Sequence, residues 1–466
     1  MKQKWIIITL LTAILIGILP PLSYANGVTE HQSQSLLTAE MKGSAVSTEQ
    51  LAYSLGIQAY IYGYPLVIME QTKQMMLKKR APINQFYYSQ ALATPEFRDI
   101  VTPNSNTLYF TAWLDLSHGP VVLQVPENRS GRYYTVQMLD MYTNTFQNVS
   151  NRLTGNKAGQ YAIVGPTWSG SLSLPKIAAP TNSVWLIGRV EVAGPDDMAR
   201  AAAFEKEFTL SSSHRRAERQ HMGQLPDVDL TSGKHPLAFY KVMTEVIKQN
   251  PPPPCDQVLL DQFKLIGIDP AKGFEPKNLS PAILAGLIRA AKDAQSIIVH
   301  ALDDVPTVNG WIIGYGIGTY GNQFLLRAVV AYSGLGANVP SEELYARANV
   351  DHTGQTLNGA NRYVLHFDKD ELPAVSGFWS LTAYNPDFTL VSNPINRYSI
   401  GDLTKGLQVN PDGSLDLYIQ HTPPAGKEAN WLPAPSGDFN LVLRMFAPKP
   451  SMLDRKYRVP PVMRMK

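Results

Sequence analysis

Asn106-Thr107-Leu108-Tyr109-Phe110-Thr111-Ala112-Trp113-Leu114-Asp115-Leu116 decides how this chain folds. Leu108, Phe110, Ala112, Leu114 and Leu116 are apolar. Thr107, Tyr109, Thr111, Trp113 and Asp115 between them are polar or amphipathic. A period of two sends successive side chains to opposite sides of an extended backbone, so the stretch predicts a β-strand with one face in a core. Downstream, Pro120 leads into a second apolar run at 121–125, and 128–131 is a turn. Residues 132–148 then read as one long strand or a bent pair, and 161–164 and 184–192 complete at least five strands. Short strands at this spacing predict a sandwich or barrel rather than parallel βαβ units.

Upstream, residues 26–46 are polar without a period and are expected to form a disordered lead-in. Ser47-x-x-Gln50 matches a capping box, and Leu51, Leu55, Ala59 and Tyr62 follow at helical spacing. Proline costs a helix interior about 3 kcal/mol, so Pro65 predicts a break near Gly63-Tyr64, with a second helix running to about Lys79. Residues 195–302 are mostly helical text, opened by Pro195 and Asp196-Asp197, and 322–332 is helical again. Strand grammar returns where Tyr363, Leu365 and Phe367 alternate with polar neighbours, and continues at 378–384, 415–420 and 441–446. Asp412-Gly413 and Ser436-Gly437 suit hairpin turns.

The expected fold is mainly β with a helical insert (α+β): two jelly-roll-like β-sandwiches linked by a helical segment. The expected boundaries are a signal peptide at 1–25, a lead-in at 26–46, N-terminal helices plus the first sandwich at 47–195, a helical insert at 196–333 and a second sandwich at 334–466. The two strand regions read as a divergent repeat. Gly131-Arg132-Tyr133-Tyr134-Thr135-Val136 matches Gly377-Phe378-Trp379-Ser380-Leu381-Thr382. Val184-Trp185-Leu186-Ile187-Gly188-Arg189-Val190 matches Phe439-Asn440-Leu441-Val442-Leu443-Arg444-Met445, with Arg189 and Arg444 in equivalent places. Chance similarity between β-rich stretches is the alternative.

Lys2 and Lys4 precede an apolar run at 5–19, which Pro20-Pro21 ends, and Ser23-Tyr24-Ala25 offers small residues for cleavage after Ala25. That is the anatomy of a secretory signal, and it predicts a periplasmic or secreted protein. The run is shorter than the ~20 residues a spanning helix needs. The next candidate span, 281–302, is interrupted by Arg289, Lys292, Asp293 and His300, so no membrane span is expected after cleavage. Cys255 is the only cysteine and rules out an intramolecular disulfide. Lys plus Arg number 41 against 38 Asp plus Glu, and the short runs Lys78-Lys79-Arg80 and Arg215-Arg216 make no basic stripe, so a nucleic-acid partner is not expected.

Several stretches are similar to known domains. Val101-Thr102-Pro103-Asn104-Ser105-Asn106-Thr107-Leu108-Tyr109, Ala112-Trp113-Leu114-Asp115-Leu116, Gly131-Arg132-Tyr133-Tyr134 and Tyr161-Ala162-Ile163-Val164-Gly165-Pro166 resemble the domain of unknown function numbered 1254. Gly334-Leu335-Gly336-Ala337-Asn338, Asn361-Arg362-Tyr363-Val364-Leu365-His366-Phe367, Asn393-Pro394-Ile395-Asn396-Arg397-Tyr398 and Asn430-Trp431-Leu432-Pro433-Ala434-Pro435 resemble its companion, numbered 1214. The resemblance implies paired β-rich domains in bacterial envelope proteins and supplies no agreed reaction. It also implies an acidic residue in many relatives where this chain has Asn106.

Hydrolase signatures are missing from the text. Ala331-Tyr332-Ser333-Gly334-Leu335 lacks the first glycine of a nucleophile elbow, and no H-E-x-x-H occurs. No two histidines stand at metal-ligand spacing, so neither metal nor cofactor is expected, with a zinc site assembled from distant residues left as the alternative. Gly316-Ile317-Gly318-Thr319-Tyr320-Gly321 fits G-x-G-x-x-G but has no βαβ unit around it, and reads as a flexible loop. Asp140-Met141-Tyr142-Thr143-Asn144 passes from an apolar to a polar half, as a pocket floor or rim does. With Asn104, Asn106, Tyr109, Trp113 and Asp115 it suggests a site for a small-molecule or glycan ligand. In that site Tyr142 and Asn144 bind, and Asp115 and Asp140 serve as acid and base of a hydrolase or lyase if roughly 5–10 Å apart. Tyr384, Arg397 and Trp431 form a similar polar-aromatic set in the second region. A non-catalytic binding or structural envelope protein is the competing expectation. In it the aromatics are cross-strand pairs, contributing roughly 0.2–1 kcal/mol each, or rings capping a core.

Overall fold

The period-two text becomes strands in both halves. The computed structural model describes residues 30–212, 228, 235–303 and 305–465, with backbone alone at 30–43. The expected signal peptide and Arg215-Arg216 lie outside the described residues. The first half contains β1 (Tyr87–Tyr88), β2 (Thr107–Asp115), β3 (Val121–Val125), β4 (Tyr134–Leu139), β5 (Thr145–Ser150), β6 (Gly159–Val164), β7 (Lys176–Ala178), β8 (Ser183–Glu191) and β9 (Thr209–Ser212). They form one sheet of order β1-β2-β8-β4-β5 and another of order β7-β6-β3-β9. Leu108, Phe110, Ala112 and Leu114 of β2 share a core with Val121, Leu123 and Val125 of β3, so the two sheets are the layers of a sandwich. This is the apolar face that the alternation predicts.

The second half contains β10 (Trp311–Ile313), β11 (Glu343–Ala348), β12 (Tyr363–Phe367), β13 (Trp379–Tyr384), β14 (Ser399–Gly401), β15 (Leu415–Gln420), β16 (Trp431–Pro433), β17 (Asn440–Phe446) and β18 (Val462–Arg464). Its sheets run β10-β11-β17-β13-β14 and β16-β15-β12-β18. Adding nine to each strand number of the first half reproduces this order at every position. The parallel pairs correspond too: β6 with β7, and β15 with β16. Leu344, Ala346, Leu441 and Leu443 share the second core with Tyr363, Leu365, Leu415 and Leu417. The chain is therefore α+β, with two sandwiches of one strand order. Strands β9 and β10 lie inside 196–333, so that segment is not purely helical as expected.

Residues 132–148 resolve as the bent pair β4–β5, with a turn at 140–144. Gly188 shows why β8 reads as it does. It faces Phe110 across the ladder, and a Cβ there would lie 2.2 Å from that ring.

Helices α1 (Glu30–Lys79), α2 (Met198–Glu205), α3 (Pro236–Gln249), α4 (Gln257–Lys264), α5 (Pro281–His300) and α6 (Phe324–Ser333) complete the elements that bear on the site. Residues 49–466 make up one unit and 1–48 another. Helix α1 corrects three expectations. Its backbone is helical from Glu30, so 30–46 is not a disordered lead-in, Ser47 is interior rather than a cap, and Pro65 does not break it. The segment around Pro65 is sunk in the core: Tyr62, Leu66, Val67 and Met69 are all fully buried. Burying each such side chain contributes about 1.5–3 kcal/mol, and together they outweigh the proline. Gly63 lets α1 and α3 approach, since a Cβ would meet Met243 Sδ at 2.1 Å.

The helical core also takes in Trp113, Leu139, Met141, Tyr142, Trp185 and Ile187. The sheet β1-β2-β8-β4-β5 is thus covered on both faces, by its sandwich partner and over part of its other face by helices. No helix among the described residues is long and apolar enough to cross a membrane.

Candidate functional site

The uncovered part of that second face meets the equivalent face of the other half. In the β2–β8 ladder Tyr109 lies opposite Arg189, and in the β11–β17 ladder Tyr345 lies opposite Arg444. The contacts are reciprocal. Arg189 Nη2 donates to the Gly336 carbonyl (2.9 Å), in the loop before β11, and Arg444 Nη2 donates to the Thr102 carbonyl (2.7 Å), in the loop before β2. Arg189 Nη1 donates to Gln137 Oε1 at 2.7 Å on β4, and Arg444 Nη1 to Thr382 Oγ1 at 3.5 Å on β13. The Tyr109 hydroxyl accepts from Asn104 N (2.9 Å), and the Tyr345 hydroxyl from Asn338 N (3.0 Å).

Tyr109, Arg189, Tyr345 and Arg444 floor a cavity of about 340 Å³ between the sandwiches. Leu302, Val305, Ile313, Leu326, Val329 and Val330 supply much of its wall. The wall also includes Gly314, Gly316 and Ile317, and the Gly334-Leu335-Gly336-Ala337 segment. Gly316 and Ile317 of Gly316-Ile317-Gly318-Thr319-Tyr320-Gly321 thus belong to the cavity wall. The segment follows β10, which pairs antiparallel with β11 rather than opening a parallel βαβ unit, so the dinucleotide reading is excluded, and its Gly318 carbonyl accepts from Thr145 N.

Strand β11 keeps the usual alternation of a sandwich strand, but its polar face turns to the cavity. Leu344, Ala346 and Ala348 enter the core, while Glu343, Tyr345 and Arg347 turn to the cavity. Glu343 is 1% exposed and lies between the two floor arginines, with Oε1 3.6 Å from Arg444 Nε and Oε2 3.8 Å from Arg189 Nε. Both distances exceed hydrogen-bond reach, and Oε2 has no hydrogen-bond partner among the described residues. Burial raises the Glu343 pKa above the ordinary carboxylate value, against the pull of both arginines. Arg347 stands 4.5 Å over the Phe388 ring and donates through Nε to Asn349. Burial lowers its pKa despite Tyr332 and the exposed Asp303 nearby.

Of the expected site residues, Tyr109 alone lines this cavity. Trp113 is buried and stacks on Trp185, centroids 5.3 Å apart and planes within 6°. Tyr142 is buried beneath the helices and donates to the Asn250 carbonyl at 2.8 Å. Asp115 Oδ1 accepts from Ser117 N and Oγ, closing a turn at the end of β2. Asp140 Oδ1 accepts from the backbone of Tyr142 and Asn144 and from the Asn144 side chain, and burial raises its pKa to about 6. Each of the two aspartates expected as acid and base caps a turn of its own, and neither lines the cavity. Asn144 Oδ1 in turn accepts from Tyr320 N. The expectation of one pocket around these six residues fails because helices seal that part of the sheet.

Asn104 is buried and ties to Thr107, and Asn106 accepts from Ser399 across the domain boundary. Tyr384 is fully buried with its hydroxyl on the Pro103 carbonyl. Arg397 holds the carbonyls of Glu428, Ala429 and Trp431. Trp431 is 2% exposed and donates to the Gln420 carbonyl, so it is a core ring rather than a binding surface. The sequence reading noted Arg189 and Arg444 only as equivalent positions and assigned none of Arg189, Glu343, Tyr345, Arg347 and Arg444 to a site. Their signal is visible: an arginine inside an otherwise apolar strand must find a partner in the interior, and the same oddity occurs twice. Among the described residues, no group of three His, Cys, Asp or Glu is placed to hold a metal.

The protein resembles other chains of known structure. The crystal structure of the VPA0106 protein from Vibrio parahaemolyticus is 23% identical, with 89% of this chain and 100% of that one covered and a TM-score of 0.65. An uncharacterized protein from Burkholderia cenocepacia is 12% identical over 93% of this chain and 99% of that one, with a TM-score of 0.46. The first of these shares the fold. Comparison with curated proteins yields no match. The family model described as a protein of unknown function, DUF1254, matches residues 83–212, which span β1–β9. The one described as a protein of unknown function, DUF1214, matches residues 342–450, which span β11–β17. One family thus supplies Tyr109 and Arg189 to the cavity and the other supplies Glu343, Tyr345, Arg347 and Arg444, and the chain is a member of the proteins that pair DUF1254 with DUF1214.

Proposed function

We propose that this is an exported protein that binds a small, largely apolar molecule in the cavity between its two sandwiches. One observation carries the reading: a space of about 340 Å³, walled mainly by aliphatic side chains and backbone, with its charged groups gathered on the two facing sheets. Ligand sites have this composition, apolar over most of their surface with a few placed polar groups. A 150 Å³ apolar cavity holds benzene, so this one suits a ligand on the order of a dozen carbon atoms. A glycan fits less well, because its hydroxyls would face aliphatic walls. Binding without turnover is favoured over hydrolysis, since neither Asp115 nor Asp140 lines the cavity. Export is supported by Lys2, Lys4, the apolar run at 5–19 and Ala25.

The test uses the neutral fluorophore N-phenyl-1-naphthylamine. Wild-type protein is expected to bind it with enhanced, blue-shifted emission. Val330→Trp, which fills the cavity from α6, is expected to abolish binding while leaving the circular dichroism unchanged. Equal binding by the two proteins overturns the reading. Export is checked separately by N-terminal sequencing of the protein from its source cells, with Asn26 expected as the first residue.

A further inference from the structure

We infer that the ligand of this cavity is an anionic amphiphile, an apolar chain ending in a carboxylate or phosphate head that the arginines of the two facing sheets hold. This rests on the cavity being a ligand site and goes on to name the class of molecule.

Charge carries the argument first. The ionisable residues lining the cavity, tyrosines aside, are Arg189, Arg347, Arg444 and Glu343. Three guanidinium groups and one carboxylate line it, with the exposed Asp303 a further acidic group near Arg347. Arginine stays protonated in proteins, so the excess is positive whether or not Glu343 holds a proton. Uncompensated charge beside apolar walls is expensive, and an incoming anion offsets it. A neutral ligand would leave it in place, and a cation would add to it.

Hydrogen-bond geometry carries it second. Arg189 donates to Gln137 and Gly336, and Arg444 to Thr382 and Thr102, while both stand too far from Glu343 for a hydrogen bond. Each guanidinium has five N–H groups, so donors remain on both. Their planar forks match the paired oxygens of a carboxylate or phosphate. Glu343 keeps the two arginines from facing each other unscreened before the ligand arrives.

The third point is direction. The charged groups sit on β8, β11 and β17, and much of the aliphatic wall comes from the chain after α5, from β10 and from α6. A molecule lying in the cavity has one polar and one apolar end, which is the form of an alkyl carboxylate or alkyl phosphate.

The experiment is displacement of N-phenyl-1-naphthylamine from wild-type protein by four ten-carbon probes: decanoate, decyl phosphate, 1-decanol and decyltrimethylammonium. Decanoate or decyl phosphate is expected to displace the fluorophore at a concentration at least 10-fold lower than 1-decanol, and the ammonium probe to be weakest. The tighter of the two anions identifies the head group, and either result supports the inference. In Arg347→Gln, at a half-buried position with no backbone carbonyl to hold, the advantage of the anion over the alcohol is expected to shrink several-fold. If 1-decanol matches both anions on wild-type protein, the anionic class is overturned while the cavity remains a ligand site. If the fluorophore itself does not bind, the cavity reading falls instead.

Discussion

Glu343→Gln asks how the buried charges at the cavity floor are balanced. The substitution keeps the volume and one acceptor oxygen but removes the negative charge that lies 3.6 Å from Arg444 Nε and 3.8 Å from Arg189 Nε. At an effective dielectric constant of about 20, each attraction is on the order of 4–5 kcal/mol before desolvation is subtracted. Breaking one partner out of a buried ionic group costs about 3–5 kcal/mol net, because the remaining charges are left uncompensated. The glutamine oxygen can still accept from a guanidinium, so the lower end, about 3 kcal/mol, is expected. Urea unfolding followed by tryptophan fluorescence at pH 7 measures it as a fall in midpoint with an unchanged slope. The variant should also respond more to ligand than wild type. With the internal carboxylate gone, a bound anion meets two unopposed arginines, and a ligand at 100 times its Kd restores about 2.7 kcal/mol. The result that refutes this reasoning is an unchanged midpoint at both pH 7 and pH 9. That outcome would mean Glu343 carries no charge in the folded protein and the arginines are satisfied without it.

Three further outcomes are expected. Glu205 is fully buried, neither of its oxygens has a hydrogen-bond partner among the described residues, and burial raises its pKa from 4.5 to about 8. A folded-state value above the unfolded one means its contribution is present at low pH and is lost as pH rises through about 8. Glu205→Gln should therefore match wild type in thermal stability at pH 5 and exceed it at pH 9 by a few kcal/mol, at about 1.4 kcal/mol per unit, and parallel stability–pH curves would rule this out. Gly188→Ala places a methyl 2.2 Å from the Phe110 ring and should cost at least about 1–3 kcal/mol, recovered in part by Phe110→Leu in the double variant; additive losses would contradict the contact. Asp140→Ala strips the turn between β4 and β5, where Thr143 holds a positive φ of 65°, of its acceptor for the Tyr142 and Asn144 N–H groups. It should lower stability by about 1–3 kcal/mol and leave fluorophore binding intact, and a selective loss of binding would return Asp140 to the site.

The sequence disclosed the sandwiches because strand alternation is local. Leu108, Phe110, Ala112 and Leu114 announce a core face whatever they pack against. The duplication was legible for the same reason, in two apolar strands that each carry one arginine. What lay hidden was non-local. Nothing in 107–115 says that helices from 236–300 cover part of the opposite face, so Trp113 and Tyr142 read as exposed aromatics when they are interior. Trp431 misleads similarly, since its stiff proline-flanked loop is folded inward onto the Gln420 carbonyl. Pro65 predicts a break from local cost alone, and burial along α1 overrides it. The site itself brings together two ladders, Tyr109 with Arg189 and Tyr345 with Arg444, from halves of the chain that no motif spans.

The shared strand order has a consequence for how such a site can change. Two identical halves meeting face to face would have to place every group in duplicate about the axis between them, and would suit only a ligand as symmetric as themselves. Joined in one polypeptide, the halves are released from that constraint. Tyr109 and Tyr345 remain a matched pair, as do Arg189 and Arg444, but the register position that holds Glu343 on one side holds Thr107 on the other, and that of Arg347 holds Thr111. The matched residues keep the halves docked, and the unmatched ones give the chamber a head and a tail.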